Sequence, residues 1–475
     1  MIDDRTSVPC PLRSAALASP DAQAVAGPGW ALSYGELDRR VSAAEGRVGG
    51  LGIEPGGRVA LYLPKGADHL ILLLALVRAG LVACPVSTRL PAGAVASLLG
   101  EAGCLALISE AKGLLDGVDG VPVLDPGTLL GSKTGGERST QPSEVPLERP
   151  ATIVFTSGST GTPKAALHTF ANHYYSALGS NENIALRPGD RWLHSLPLYH
   201  VGGLSILFRC LLAGATVALP EPGETLGQSI PTLRATHVSL VVTQLLRLLR
   251  EEADLSGLKA VLMGGGPMPG GLVAEARSRG LPVHTSYGLT EMASQVTATP
   301  PDAGSEELRT AGWALPHREV SVSGGGEILV RGETLFAGYV EGGKAERPPE
   351  ADGWFRTGDL GELDEAGRLR VLGRKDNLFV SGGENVRPEE IEDALSRIPG
   401  VDEAVVVPVP DPEFGARPVA FVRLCGGAGD LAGALEGVLP RFKIPKIFHE
   451  WEGTGGMKPD RVALQERAVR LRRED

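Results

Sequence analysis

Two long stretches of the chain, residues 31–110 and 191–300, alternate short apolar runs with helical patterns, and this alternation restricts the fold more than any other feature. Short apolar runs bounded by turn residues fit strands buried on both faces, and helices between them imply parallel crossovers. In the first stretch Ser33 offers an N-cap for a helix through Leu51, and Arg58–Leu63 forms a strand. A helix over 67–79, a strand Ala83–Val86, a helix near Ala92–Ala102 and a strand Leu105–Ile108 follow. In the second, the strands Trp192–Leu196, Thr216–Leu219, Val238–Val242, Ala260–Met263 and Pro282–Ser286 are interleaved with helices near Gly203–Ala213, 243–252 and 269–279. The expectation is an α/β fold of layered, parallel sheets covered on both faces. From 309 to 372 the pattern turns short and β-like, with Glu327–Val330 and Gly367–Val371 as strands. Past Arg374 comes a compact α+β piece: a helix over 388–397, strands over 403–409 and 418–424, and a helix ending near Leu439.

At 475 residues the chain is long enough for two or three domains. The net charge of −11, with its densest basic run confined to Arg467, Arg470, Arg472 and Arg473, argues against a nucleic-acid partner. That run reads as a solvated helix face. The five cysteines are scattered without metal-ligand spacing, which suits buried free thiols in a reducing compartment. Met1-Ile-Asp-Asp starts acidic and lacks the apolar core of a signal peptide. The most hydrophobic stretch, His69 to Val86, is interrupted by Arg78 and Gly80 and reads as a buried helix and strand, with no integral membrane association. A cytoplasmic protein is expected.

The chemistry concentrates first in a loop. The β-prone run Ala151–Phe155 feeds into Thr156-Ser157-Gly158-Ser159-Thr160-Gly161-Thr162-Pro163-Lys164. Glycines let the main chain approach a polyanion closely, amides and hydroxyls can wrap it, and a lysine adds a point charge. It is no Walker A loop, because Pro163 precedes the lysine and Ala165 follows it. Alone, the segment reads equally well as a surface turn. Four further stretches recur downstream: Leu196-Pro-Leu-Tyr-His200, Ser286-Tyr-Gly-Leu-Thr-Glu291, Trp354-Phe-Arg-Thr-Gly-Asp359, and Gly373-Arg-Lys-Asp376 running into Ser381-Gly-Gly-Glu-Asn-Val386. Lys458 ends the Gly-rich Thr454-Gly-Gly-Met-Lys458.

In this order the stretches resemble the adenylate-forming superfamily of acyl- and aryl-CoA ligases, luciferases and peptide-synthetase adenylation domains, from near Leu32 to Lys458. The resemblance implies an AMP-binding N-terminal domain over 1–373 and a small mobile C-terminal domain over 374–475, with a hinge near Asp376. It implies that Thr156, Ser157, Gly158, Ser159, Thr160, Gly161 and Lys164 hold the outer phosphates of ATP. Tyr287, beside Gly288, stacks on adenine, and Thr290 touches the α-phosphate. Glu291 holds Mg²⁺, a hard cation suited to carboxylate and phosphate oxygens. Asp359 accepts the ribose hydroxyls and Arg374 also contacts the nucleotide. Lys458 sits between the substrate carboxylate and the α-phosphate, where it stabilises charge in the transition state. Gly382 and Gly383 line the tunnel for CoA once the small domain has swung. Each residue alone has a plainer reading: a turn aspartate, a core tyrosine, a solvated lysine, an ordinary glycine turn.

Thr290-Glu-Met-Ala-Ser-Gln-Val-Thr297, His168 to Tyr175 and His200-Val-Gly-Gly-Leu204 are similar to the o-succinylbenzoate–CoA ligases of menaquinone biosynthesis. That resemblance implies an acid with two carboxylates, a gating role for His200, and a need for donors or a cation at the unreacted carboxylate. Ser294, Gln295 and Thr297 are candidate donors and Arg209 a candidate cation, with a helix-surface or ion-paired arginine as its competing reading. A benzoate-type or medium-chain acyl-CoA ligase, and an adenylation module acylating a carrier protein, stay open as alternatives, as does a homodimer. Two departures from the superfamily stand out: Ala165 takes the place of a glycine, and Pro459 directly follows Lys458.

Overall fold

The computed structural model describes residues 6–111, 120–131, 141–156, 163–251, 253–266, 268–342, 344–346, 351–426, 429–453 and 459–474. Two large sheets organise it. The first has eight strands, and its centre is parallel: Pro150–Thr156, Val82–Pro85, Arg58–Tyr62, Ala106–Ser109 and Val123–Leu124 are neighbours in that order. The second has nine strands around the parallel set Val283–Leu289, Ala260–Met263, His237–Leu240, Arg191–Leu193, Thr216–Ala218 and Gln23–Gly27. Both carry antiparallel strands that the helix–strand alternation does not reveal. Lys164–Thr169 folds back on Pro150–Thr156, and Ser294–Ala298 folds back on Val283–Leu289. The sheets are therefore mixed, and both reversals fall where the sequence placed its site motifs.

Helices Tyr34–Gly49, Ala67–Arg78, Phe170–Asn183 and Val201–Ala213 supply much of the largest apolar cluster, which also takes residues from both sheets. Nine of the twelve residues of Ala67–Arg78 are buried, which explains why leucines crowd more than one of its faces. Ser33 caps Tyr34–Gly49 in a complete capping box with Glu36. The N-terminal helix Pro11–Ala18 is fastened by a buried carboxylate: Asp38 takes Arg13 Nε at 2.8 Å and Arg78 Nη2 at 2.9 Å.

Past the large sheets, Arg318–Val322, Glu327–Gly332, Phe355–Leu363 and Leu369–Arg374 form an antiparallel four-stranded sheet. The C-terminal part packs helix Pro388–Ser396 against Val401–Asp411, which pairs with Gly415–Leu424, and Ile447–Glu450 adds in parallel. The Asp402 side chain in this part is buried between Arg423, on the adjacent strand at 2.6 Å, and Arg250 at the end of helix Val242–Arg250. The basic run of the last helix, Arg461–Glu474, is exposed at Arg467, Arg470 and Arg472, as expected of a solvated face; Arg467 also lies over the Phe421 ring at 5.5 Å and Arg472 pairs with Asp411 at 2.7 Å. Cys10, Cys84, Cys104 and Cys210 are buried free thiols, whereas Cys425 is exposed, against expectation. Glu144–Pro146 pairs with Ser7–Pro9 in a separate two-stranded sheet. No helix among the described residues is long and apolar enough to cross a membrane.

Candidate active site

The reversal of Lys164–Thr169 onto Pro150–Thr156 sets Thr156 opposite Lys164, so the two ends of the hydroxyl-rich segment are paired at the end of a buried strand. Ser157, Gly158, Ser159, Thr160 and Gly161 lie outside the described residues, as does Lys458. Lys164 is exposed, with its ammonium 5.1 Å from the centre of the Tyr339 ring. The Tyr339 hydroxyl donates to Glu291 Oε1 at 2.5 Å. Burial and then the Glu291 charge push that phenol up, so it stays protonated as a donor. Lys164, Tyr339 and Glu291 thus meet where two sheet reversals converge.

Thr290 and Glu291 occupy one short turn, Thr290–Met292, between the strands Val283–Leu289 and Ser294–Ala298. Both carbonyls are pinned: His168 Nε2 lies 2.7 Å from Thr290 O, and Phe336 N donates to Glu291 O at 2.8 Å. A carbonyl only accepts, so the His168 proton is on Nε2. Burial lowers the His168 pKa to about 4, leaving the ring a neutral, fixed donor. Asn172 ties the same region together by donating to the carbonyls of Glu333 and Leu335, each at 2.8 Å.

A second group joins two paired strands of the four-stranded sheet to Tyr287 on the nine-stranded one. Tyr287 donates its hydroxyl to Asp359 Oδ2 at 2.6 Å, and Arg374 Nη1 donates to Asp359 Oδ1 at 3.1 Å. Arg374 reaches Asp376 at 3.0 Å as well, joining the expected nucleotide residues to the expected hinge. Gly288 is exposed beside Tyr287. Gly382 and Gly383 make the turn between Phe379–Ser381 and Glu384–Val386 with φ of +60° and +86°, a conformation that disfavours side chains.

The third group is buried. Arg209, on helix Val201–Ala213, is 1% exposed, so it is no surface arginine. Among the described residues it has no carboxylate partner either, which removes its ion-pair reading. Its Nη2 donates to Gln295 Oε1 at 2.8 Å and to Ser294 Oγ at 3.2 Å, and its guanidinium lies 5.0 Å from the Trp192 ring centre. Ser180 Oγ donates to the same Gln295 oxygen at 2.8 Å. Arg209 Nε, Gln295 Nε2 and Thr297 Oγ1 are buried without a hydrogen-bond partner among the described residues. Burial pulls the Arg209 pKa down to about 9, still charged at neutral pH. His200 is exposed at the N-cap of this helix, roughly 13 Å from Arg209 by helical rise.

Magnesium binds through one or two carboxylates together with phosphate oxygens and water. Glu291 fits that role: a half-buried carboxylate joined through Tyr339 to Lys164, with no three-residue metal cluster among the described residues.

Residues 12–340 match the family described as AMP-binding enzyme, and residues 390–453 match the AMP-binding enzyme C-terminal domain. The chain belongs to the AMP-binding enzyme family. A 2-succinylbenzoate–CoA ligase of Salmonella typhimurium strain LT2 is 37% identical over 443 residues, covering 92% of each protein. The o-succinylbenzoate coenzyme A synthetase of Bacillus subtilis in complex with the acyl-adenylate intermediate superposes with a TM-score of 0.87 at 30% identity, covering 97% of this chain and 99% of that one. The same synthetase in complex with ATP and magnesium ion gives 0.87 at 31% identity, covering 97% and 100%. As an AMP-binding enzyme, the chain has an α/β fold with a smaller α+β piece at its C-terminus, as expected.

Sequence reasoning missed Tyr339, Ser180, Trp192 and Arg318. Tyr339 sits on a four-residue strand, Gly338–Glu341, with nothing local to distinguish it. Arg318 carried one legible signal, a charged residue opening a strand directly after Leu315-Pro-His317.

Proposed function

We propose that this chain is an ATP-dependent o-succinylbenzoate–CoA ligase serving menaquinone biosynthesis. A carboxylate oxygen of the acid attacks the α-phosphorus of ATP, the bond to the β-phosphate oxygen breaks, and pyrophosphate leaves. The thiol of CoA then attacks the acyl carbon of the adenylate, losing its proton, and AMP leaves with the electrons of the acyl–oxygen bond. Thr156 to Gly161 and Lys164 hold the outer phosphates, and Thr290 contacts the α-phosphate. Asp359 and Arg374 take the ribose, and Tyr287 faces adenine. Glu291 holds the magnesium ion, which neutralises phosphate charge. Lys458 reaches in from a small domain, 374–475, that turns about Asp376 and later presents Gly382 and Gly383 to CoA.

The observation that carries the choice of acid is Arg209: a fully buried cation with no carboxylate partner among the described residues, held by Ser294 and Gln295. Leaving a buried charge uncompensated costs several kcal/mol by order of magnitude. The unreacted carboxylate of a dicarboxylic acid supplies the missing counter-charge, whereas a benzoate or medium-chain fatty acid does not. The test is pyrophosphate release and AMP formation with ATP, magnesium and a panel of acids, followed by thioester formation with free CoA. The expected outcome is AMP and the CoA thioester with o-succinylbenzoate. Preference for monocarboxylic acids, or an adenylate that passes only to a carrier protein, would overturn this reading.

A further inference from the structure

Arg318 is the second buried arginine of the acyl pocket, and none of the expected roles uses it. It is 5% exposed and opens the strand Arg318–Val322. Its guanidinium ends on backbone carbonyls: Nε donates to Pro316 O at 2.9 Å, Nη2 to Tyr175 O at 3.3 Å and Ser176 O at 3.5 Å, and Nη1 to Gln295 O. Arg318 too has no ion-pair partner among the described residues. Burial, and then repulsion from Arg209, lowers its pKa to about 9.

The carbonyl it grips follows two unusual residues. Ala293 has φ of +54° and Ser294 has φ of +140°, in regions that side chains disfavour. Such strain persists only where the surroundings impose it. Three contacts do so here: Ser176 Oγ donates to Ala293 O at 3.2 Å, Arg209 donates to Ser294 Oγ, and Arg318 holds Gln295 O. The fork spans helix Phe170–Asn183 and strand Ser294–Ala298, the two elements already joined by the bond from Ser180 to the Gln295 oxygen that accepts from Arg209. Gly179 makes room for it, since a Cβ there would stand 2.4 Å from Arg318 Nη2.

We propose that Arg318 is a specificity-determining positioning residue: by clamping the Ser294–Gln295 segment to the neighbouring helix, it aims Ser294, Gln295 and Arg209 at the free carboxylate of a dicarboxylic acid. Neither guanidinium has a carboxylate partner among the described residues, and the free carboxylate of the substrate brings one negative charge toward them. This rests on the substrate reading above.

The experiment compares o-succinylbenzoate with 4-oxo-4-phenylbutanoate, which keeps the ring, ketone and chain carboxylate but lacks the ring carboxylate. Pyrophosphate release gives kcat/KM for both acids with the wild-type enzyme, Arg318→Met and Arg318→Lys. The wild type is expected to prefer the diacid. Arg318→Met is expected to cut that preference by about tenfold or more, through KM for the diacid, leaving KM for ATP unchanged. Arg318→Lys keeps the charge without the fork and is expected to fall between; if Arg318→Met does not fold, the lysine variant decides. A wild type indifferent between the acids overturns the substrate reading itself. A preference that survives substitution, or an equal loss with both acids, overturns only the role of Arg318.

Discussion

Asp359 separates a binding role from a structural one. Its carboxylate accepts from Tyr287 at 2.6 Å and from Arg374 at 3.1 Å. In the proposed complex it accepts two ribose hydroxyls. Hydrogen bonds to a charged acceptor contribute roughly 1.5–3 kcal/mol each, and the bond surrendered by Tyr287 offsets part of the gain. A net loss of roughly 2–3 kcal/mol in Asp359→Ala corresponds to a rise of about 30- to 150-fold in KM for ATP. Asp359→Asn keeps one acceptor oxygen and should lose about half of that free energy, or roughly tenfold. Folding should be spared, because Arg374 retains Asp376 and the Thr357 carbonyl, each at 3.0 Å, and is 38% exposed. The stability change should therefore stay within about 1 kcal/mol. The assay is initial pyrophosphate-release rate against ATP concentration at saturating acid, with a thermal melt of each variant. If KM for ATP stays within about threefold of wild type while the melting temperature drops sharply, Asp359 is a structural residue and the ribose assignment is wrong.

Asp38→Ala should destabilise the protein by about 3–5 kcal/mol, since it strands the buried guanidiniums of Arg13 and Arg78 together. A urea midpoint equal to wild type would show that the N-terminal helix is held by packing alone. Acid should also weaken the fold before carboxylates titrate. Burial lowers the pKa of both His69 and His168 to about 4, whereas unfolded histidine titrates near about 6.5. Between these values the unfolded chain binds more protons, so stability is full above the upper value and declines as pH falls toward the lower. Urea midpoints at about pH 7.5 and 5.5 measure this, and equal midpoints would refute it.

The layered sheets were legible because buried parallel strands are short apolar runs between turns, as the strand Ala260–Met263 and helix Ala92–Ala102 show. The limits appear where an apolar run changes element without a polar break. Val238–Val242 reads as one strand, but the strand ends at Leu240 and Val242 already begins the next helix. The antiparallel strand Ser294–Ala298 is buried at all five positions, so it shows no alternation to betray its direction. At the site, residues on motif loops announced themselves by composition. Arg209 did not: it sits in the apolar Leu207-Phe-Arg-Cys-Leu211, and only the folded helix shows that water cannot reach it. Arg318 and Tyr339 matter through contacts more than a hundred residues away in the chain or across a sheet, which local sequence does not encode.

The doubled arginine grip on Asp402 has a bearing on how the C-terminal part can let go of the rest. Arg423 belongs to the same three-stranded sheet and travels with Asp402, whereas Arg250 belongs to the other side and is half exposed. If the two parts separate, the carboxylate keeps a cation and Arg250 returns to water, so neither charge is marooned. A fastening of that kind can hold one arrangement and still be undone at little cost, as the rotation proposed for the small domain requires.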